Sequence, residues 1–373
     1  MSSAERALPQ LTLLNPGPVN VHHDVRAALN QPDVCHREPE VAELIRRVRE
    51  KAARVTTEAS GYTSVVLTGS GTSAMEAVVA SVVRDEESIL VIENGNYGRR
   101  LFDIATANGL AVVPYVVAWG SPIVLEDVAE LLQQHPTIRY VALVHNETSS
   151  GMLNDVHGVG ALAKQHGATL IVDAISSLGC EKLELVDDNI EWCIGTSNKC
   201  LEGLPGVSFV VASHASFEAL ADVPPKSYYL NLFGHFNSQE HLGAPLFTPA
   251  VQTLASFEVA LDRMLSEGVA ARRERYLHLT EIVRSGMRER EISTLLVGQD
   301  LSCCVTCFVL PSGWTYQWLH DQLRAQGIVI YGTQAEYGHV FRIATMGQLV
   351  QEDIERLFVG IDIARSQEVL QRA

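Results

Sequence analysis

The sequence predicts an α/β fold. A large domain carries a mostly parallel seven-stranded sheet between helices, and a smaller α+β domain follows at the C-terminal side. Three observations predict it. Seven short runs rich in valine and isoleucine recur between Tyr62 and Ser213. Helical patterns separate several of them. The runs are almost continuously apolar rather than alternating, as strands covered on both faces are.

The elements follow in order. "YTSVVLTGS" reads as the first strand, and "TSAMEAVVASVVR" after it has helical spacing. "SILVIENG" is the next strand, and "RRLFDIATANG" a helix ended by glycine. "LAVVPYVV", "YVALVHNE", "TLIVDAIS", "IEWCIGT" and "VSFVVAS" supply the other five strands, with the helix "VHGVGALAKQHG" among them. From Pro249 to about Arg290 one long helical pattern leads out of the large domain. Beyond it, "TCFVL" and "HVFRIAT" read as strands, and "WTYQWLHDQLRAQG" and "VQEDIERLFVGIDIARS" as helices. The expected division is an N-terminal segment over 1–20, a large domain over 21–260 and a small domain over 261–373.

The chain of 373 residues, 47% of them hydrophobic, has ample material for a core. Acidic residues outnumber basic ones 44 to 28, for a formal charge of −16. That excess argues against a nucleic-acid or anionic-membrane partner, while a few local arginines still suffice for a small anion. No apolar run reaches the roughly 18 residues of a membrane span. The start "MSSAERALPQ" lacks the basic-then-apolar build of a signal peptide, so a cytoplasmic protein is expected. Seven cysteines, an odd number, read as reduced thiols rather than a disulfide framework. Cys303, Cys304 and Cys307 in "CCVTC" read as part of an apolar strand and no metal is expected, because no second Cys/His cluster completes a zinc set.

In an open parallel sheet, ligands bind beyond the carboxyl ends of the strands. The first strand ends in "GSGTS", where Ser70, Gly71 and Thr72 open a helix and offer backbone N–H groups to an anion. An ordinary helix-capping turn has the same look. Tyr97, in "NGNYGRR", is placed to stack on a flat ring or to sit as a rim aromatic. "HNETSSG" offers Asn146, Glu147 and Thr148, and Asp173 ends an apolar strand. A buried acid there needs a cation or hydrogen bonds. Lys199 lies between two apolar runs in "IGTSNKCLEGLPGVSFVVAS", as a structural ion pair or a chemical handle. This set matches pyridoxal 5'-phosphate: Lys199 for a Schiff base, Asp173 for the pyridine nitrogen, the glycine turn for the phosphate, Tyr97 and Ile175 for the ring faces.

The chain resembles the class V, fold-type I aminotransferases, which depend on pyridoxal phosphate, and within them those acting on 2-aminoethylphosphonate and pyruvate. "LLNPGPVNV" is similar to their T-P-G-P segment, and "SGYTSVVLTGSGTSAMEAV" to their phosphate-binding strand, turn and helix. "NGNYGRR", "VHNETSSGMLN", "IVDAISSLG", "SNKCLEGLPGVSFVVA" and "FRIATMG" each resemble a family segment, in order over nearly the whole chain. The resemblance implies that Lys199 is the Schiff-base lysine and Asp173 the partner of the ring nitrogen. Tyr97 takes the stacking position. Ser70, Gly71, Thr72 and Asn198 take phosphate-binding positions, and Thr148 lies near the ring hydroxyl. Thr248 is implied to reach the phosphate of a neighbouring subunit's cofactor, in a homodimer with shared sites. Arg342 is implied to clamp a substrate carboxylate, for which its planar fork of donors is suited.

The resemblance has two departures. Where the phosphonate-acting members have C-x-W-D, this chain has "CHREPEVAELI", a His-Arg-acid pattern of the broader class. His36 and Arg37 there either bind a phosphonate or cap the helix that follows. Asn15, in "NPGP", replaces a threonine close to the expected substrate. The implied reaction moves the amino group of 2-aminoethylphosphonate to pyruvate, giving phosphonoacetaldehyde and alanine. The alternatives are an aminotransferase for another small donor (serine, alanine or an aminosulfonate), a lyase using the same cofactor on an aminophosphonate, and a non-enzymatic binding protein on this scaffold.

Overall fold

The structure is a computed structural model describing residues 10–298, 301–333 and 338–372. Its centre is a seven-stranded sheet: β1 (Tyr62–Thr68), β2 (Ser88–Glu93), β3 (Ala111–Val116), β4 (Ile138–Val144), β5 (Thr169–Asp173), β6 (Ile190–Thr196) and β7 (Val207–Ser213). The spatial order is β1-β7-β6-β5-β4-β2-β3. Pairs β2/β3, β2/β4, β4/β5 and β5/β6 are parallel, and β7 runs antiparallel to both β6 and β1. β7 is thus the one reversed strand of a mixed sheet.

The continuous apolar runs reflect two covered faces. Leu90, Val141, Leu143, Leu170, Val172 and Cys193 enter one core cluster. Their alternates Ile89, Val91, Ala142, Val144, Ile171 and Ile194 enter another on the opposite face. A fully buried side chain of this size contributes about 1.5–3 kcal/mol, so each central strand is strongly held. Pro114 lies within β3, which is tolerated because β3 is an edge strand.

The long helical pattern after Pro249 is two helices, Val251–Glu267 and Val269–Glu289, rather than one. Gly268 breaks it at φ 81°, a left-handed conformation that glycine adopts without strain. Val251, Leu254, Leu261 and Met264 pack with the large sheet. Leu279, Val283 and Met287 join the C-terminal core with Phe308, Phe341 and Leu357. That region holds β8 (Val305–Val309), β9 (Tyr331–Gly332) and β10 (Val340–Ala344), antiparallel in the order β8-β10-β9, and the helix Gln351–Arg372. The N-terminal residues Thr12–Leu13 pair in parallel with Ile328–Val329. This pairing ties the first segment to the C-terminal region and leads Asn15–Pro18 toward the sheet. Among the described residues no helix is long and apolar enough to cross a membrane.

One premise of the cysteine reading is corrected. Cys180 and Cys200, from two loops of the large sheet, meet Cys304, with sulfur separations of 3.8 and 4.0 Å. A second set of thiols does join the "CCVTC" strand. It was invisible in sequence because its members lie more than 100 residues away.

Candidate active site

The carboxyl ends of β4, β5 and β6 meet at one place. β5 ends in Asp173, which is 2% exposed. Its carboxylate accepts the Ile175 N–H at 2.9 Å. Burial pushes its pKa up to about 7; that hydrogen bond and the charges of Arg100 and Lys199 work the other way, while Glu147 adds to the rise. A buried carboxyl so raised gains strongly from a cation placed against it.

Lys199 follows β6 in a turn. Its ammonium donates to the Pro16 carbonyl. Burial, joined by the charge of Arg342, lowers its pKa against the opposing pull of Tyr97, Cys200 and Asp173. The amine is therefore easier to obtain in the neutral form that a nucleophile or base requires. Gly17 lies against this side chain: a Cβ there would stand 2.3 Å from Lys199 Cδ, and its φ of 87° also calls for glycine. Pro16 and Gly17 are site residues that the sequence reading did not single out. Asn15 belongs to the same loop, with its amide donating to the Pro18 carbonyl at 2.9 Å.

Tyr97 sits in the first turn of the helix Asn96–Ala107, whose N-cap, Gly95, has no capping side chain. The cap comes from Glu147 instead. Its carboxylate accepts from the Tyr97 and Gly98 N–H groups at 3.0 and 3.1 Å, and from Ser149 N and Oγ at 3.1 and 2.6 Å. Gly95 leaves room for it, since a Cβ there would lie 2.4 Å from Glu147 Cδ. The Tyr97 phenol bonds to Thr148; burial raises its pKa, but Lys199, Arg342, Thr148 and Arg100 outweigh burial and lower it.

The turn after β1 leads into the helix Gly71–Val82. Ser70 is its N-cap and makes no side-chain capping bond, so the helix start keeps donors available for an anion. Ile175 fills the space over Gly71, where a Cβ would lie 2.6 Å from Ile175 Cδ1. Arg100 Nη1 donates to Thr72 Oγ1 at 3.3 Å, and its guanidinium lies 4.8 Å from the Tyr97 ring centroid. Arg100 was missed in sequence. Its signal is being one helical turn beyond Tyr97. Asn198 Oδ1 accepts from Thr196 Oγ1 at 3.1 Å.

Arg342 reaches in from β10. It donates Nε and Nη2 to the Gly332 carbonyl at 2.9 and 2.7 Å, and Nη1 to the Thr148 carbonyl at 3.2 Å. These bonds orient the fork beside Tyr97. His36 and Thr248 lie 3.5 Å from each other, and Ala250, two residues after Thr248, donates its N–H to Thr68 at the end of β1 at 3.1 Å. The helix-capping alternative for His36 and Arg37 is corrected: the helix Pro39–Thr56 has Glu38 as N-cap without a side-chain bond, and Pro39 supplies the first turn.

A lysine easily neutralised, a buried acid awaiting a cation, a glycine-lined helix start and a strand arginine define the class: a fold-type I enzyme using pyridoxal phosphate. The residues fit that group. Asp173 would face a protonated ring nitrogen, Lys199 the aldehyde and the Gly71 helix start the phosphate. The chain belongs to the class V aminotransferase family, whose model matches residues 20–357. It is similar to the 2-aminoethylphosphonate–pyruvate transaminase of Vibrio cholerae serotype O1, 37% identical over 361 residues, covering 94% of this chain and 97% of that protein. The protein of the same name from Klebsiella pneumoniae is 33% identical over 356 residues, with the same coverage. Among solved structures, ureidoglycine-glyoxylate aminotransferase from Bacillus subtilis superposes with a TM-score of 0.91 at 25% identity, covering 97% of this chain and 95% of that one. Alanine–glyoxylate aminotransferase from Nostoc sp. gives 0.91 at 26%, covering 98% and 97%.

Proposed function

We propose that this aminotransferase moves the amino group of 2-aminoethylphosphonate to pyruvate, giving phosphonoacetaldehyde and alanine. The observation that carries the reading is 37% identity to a transaminase of that name over 94% of the chain, with Lys199, Asp173 and Arg342 on one site.

Pyridoxal phosphate, when bound, supplies an aldehyde that holds the amino group and a ring that withdraws electrons. The rest falls to the chain. Lys199 Nζ takes a proton from the donor carbon and returns it, a task suited to its lowered pKa. Asp173 keeps a positive charge on its side of the site and so favours negative charge developing opposite it. Ser70, Gly71, Thr72 and Asn198 hold the phosphate, and Thr148 positions Tyr97. Arg342 binds the carboxylate of the keto acid, with Asn15 in the N-terminal loop whose Pro16 carbonyl meets Lys199.

The proposal includes a homodimer. Thr248 and His36 lie 3.5 Å apart, and Phe247, next to Thr248 in the chain, packs against Tyr228, which is 87% exposed. In a pair of chains, Thr248 would serve the neighbour's phosphate, and His36 with Arg37 the phosphonate end of the donor. Seven unpaired cysteines support a reducing, cytoplasmic setting. A second reading, transfer from another small donor, is favoured by His36 and Arg37 standing where the resemblance implies C-x-W-D.

An absorbance titration of the yellow holoenzyme without keto acid tests the donor, using 2-aminoethylphosphonate, taurine, serine and alanine. The visible band should be lost at far lower concentration with the phosphonate. Loss with serine or alanine alone would remove the phosphonate and leave the aminotransferase.

A further inference from the structure

The reaction leaves the thiol cluster unused. Cys180, Cys303 and Cys304 are buried, and their sulfurs all lie within 4.8 Å of one another. Cys200 adds a fourth sulfur 4.0 Å from Cys304. Cys180 and Cys304 are 3.8 Å apart. Around a tetrahedral zinc with Zn–S bonds of about 2.3 Å, sulfurs stand about 3.8 Å from one another. Cys180, Cys303 and Cys304 need to contract by no more than about 1 Å to reach that geometry.

Three further features surround the cluster. A surface cleft of about 680 Å³, lined by Gly179, Glu181, Lys182, Val269 and Arg273, borders the cluster on its Cys180 side. Glu181, with its side chain 1% exposed, stands between, accepting the Cys303 N–H at 2.6 Å and pairing with the half-exposed Arg273 at 3.3 Å. Glu181 thus both lines the cleft and contacts the cluster through the Cys303 N–H. The outer shell is also ordered. Ser302 Oγ lies 3.5 Å from Cys304 Sγ and can donate to its thiolate, while the Cys180 and Cys200 thiols donate to the Ser177 and Ser176 carbonyls, bonds that ligation would exchange for sulfur–metal bonds. Four thiolates around a dication leave two net negative charges. Arg272, bonded to the Cys200 carbonyl at 2.7 Å, and Arg284, bonded to the Ser302 carbonyl at 2.8 Å, bring positive charge beside them, which they share with Glu267 and Glu281.

We propose that Cys180, Cys303 and Cys304, with Cys200 on the fourth side, bind a soft divalent cation of the zinc and cadmium class. Each ligating thiol releases its proton to water as its sulfur–metal bond forms. The site joins the loop carrying Lys199 and Cys200 to the segment that opens β8, so the bound cation staples the large sheet to the C-terminal region.

The test uses reduced, chelator-treated holoenzyme titrated with cadmium alone. Expected is one tightly held ion per chain with ultraviolet sulfur-to-cadmium charge transfer, unchanged in Cys35→Ser, which removes the exposed thiol. Cys303→Ser and Cys304→Ser should lower the affinity at least about 100-fold. The cadmium-113 resonance of the unaltered protein keeps the test independent of variant folding, and it should fall in the range for three or four sulfur ligands. A resonance of oxygen or nitrogen ligation, no charge transfer, or a signal lost in Cys35→Ser and kept in Cys304→Ser would each overturn the site.

Discussion

Asp173→Asn in protein stripped of cofactor offers a direct reading of the site's electrostatics. Asp173 is buried, and its carboxyl is raised from 3.8 to about 7, chiefly by burial. The sign follows from proton binding. Between about pH 4 and 7 the folded chain holds a proton that the unfolded chain has lost, so this group's contribution to stability is present below pH 4 and disappears as pH rises through 7. At about 1.36 kcal/mol per pH unit across that window, the loss amounts to about 4 kcal/mol by pH 8. Asparagine is neutral at every pH and nearly the shape of the protonated acid. Urea unfolding of the two apoproteins should therefore show the variant gaining on the native chain, from near zero at pH 4 to about 4 kcal/mol at pH 8. Other groups titrate alike in both and cancel. Adding pyridoxal phosphate at pH 8 should restore the native chain's advantage, because Asp173 then meets the cation it is placed for. A stability difference flat from pH 4 to 8 would refute the raised carboxyl. A native apoprotein more stable than the variant at pH 8 would show that a cation within the chain already pairs with it.

The remaining predictions concern packing, capping and the substrate fork. Gly71→Ala should weaken cofactor binding to the apoprotein by about 1–3 kcal/mol, followed by fluorescence, because the new Cβ meets Ile175 at 2.6 Å; Gly71→Ala with Ile175→Val should recover part of it, and no recovery would place the clash elsewhere. Glu147→Gln loses charge-assisted acceptance at the Tyr97 helix and should cost about 1–3 kcal/mol in urea unfolding, whereas unchanged stability would remove Glu147 as the cap. Arg342→Lys loses a planar fork worth about 1.5–3 kcal/mol, so the KM for pyruvate should rise about 10–100-fold in steady-state assays while single-turnover reaction with the amino donor stays near native. Glu202→Gln should cost about 3 kcal/mol by denaturant titration. It breaks a buried network in which Glu202 accepts from Tyr276 Oη at 2.6 Å and Arg275 Nη2 at 2.9 Å; a neutral result would mean that the loop after Lys199 is held by other bonds.

What the sequence made legible was set by local physics. A run such as "TLIVD" shows its double-sided burial because each residue must be apolar by itself, and its polar last residue stands out against the run. The same contrast exposed Lys199, and glycines marked the turn at Gly71. Strand direction carries no such mark. "VSFVVAS" is as apolar as its parallel neighbours, and only pairing in space shows that β7 runs the other way. Gly268 was visible as a residue, but a glycine inside a helical pattern is read as tolerated until its φ of 81° is known.

The supports of the site were harder to see than the site itself, and for one physical reason. A group that does chemistry must contrast with its own apolar strand, so its signal is local. A group that holds it in place has only to arrive from somewhere. Glu147 caps a helix about 50 residues earlier, and the Pro16 carbonyl meets a lysine 183 residues later. The Cys180 and Cys304 thiols are 124 residues apart. Such partners are chosen by how the chain folds back, through pairings like Thr12 with Ile328 that bring the N-terminal loop over Lys199. Reach of this kind makes the supports sensitive to the position of the C-terminal region. Arg342, Tyr276 and Gln348 all lie on that side, and Glu202, three residues after Lys199, bonds to the last two of them. Glu202 thereby ties the loop that carries Lys199 to a helix and a loop far along the chain, and no signal within its own segment announces those partners.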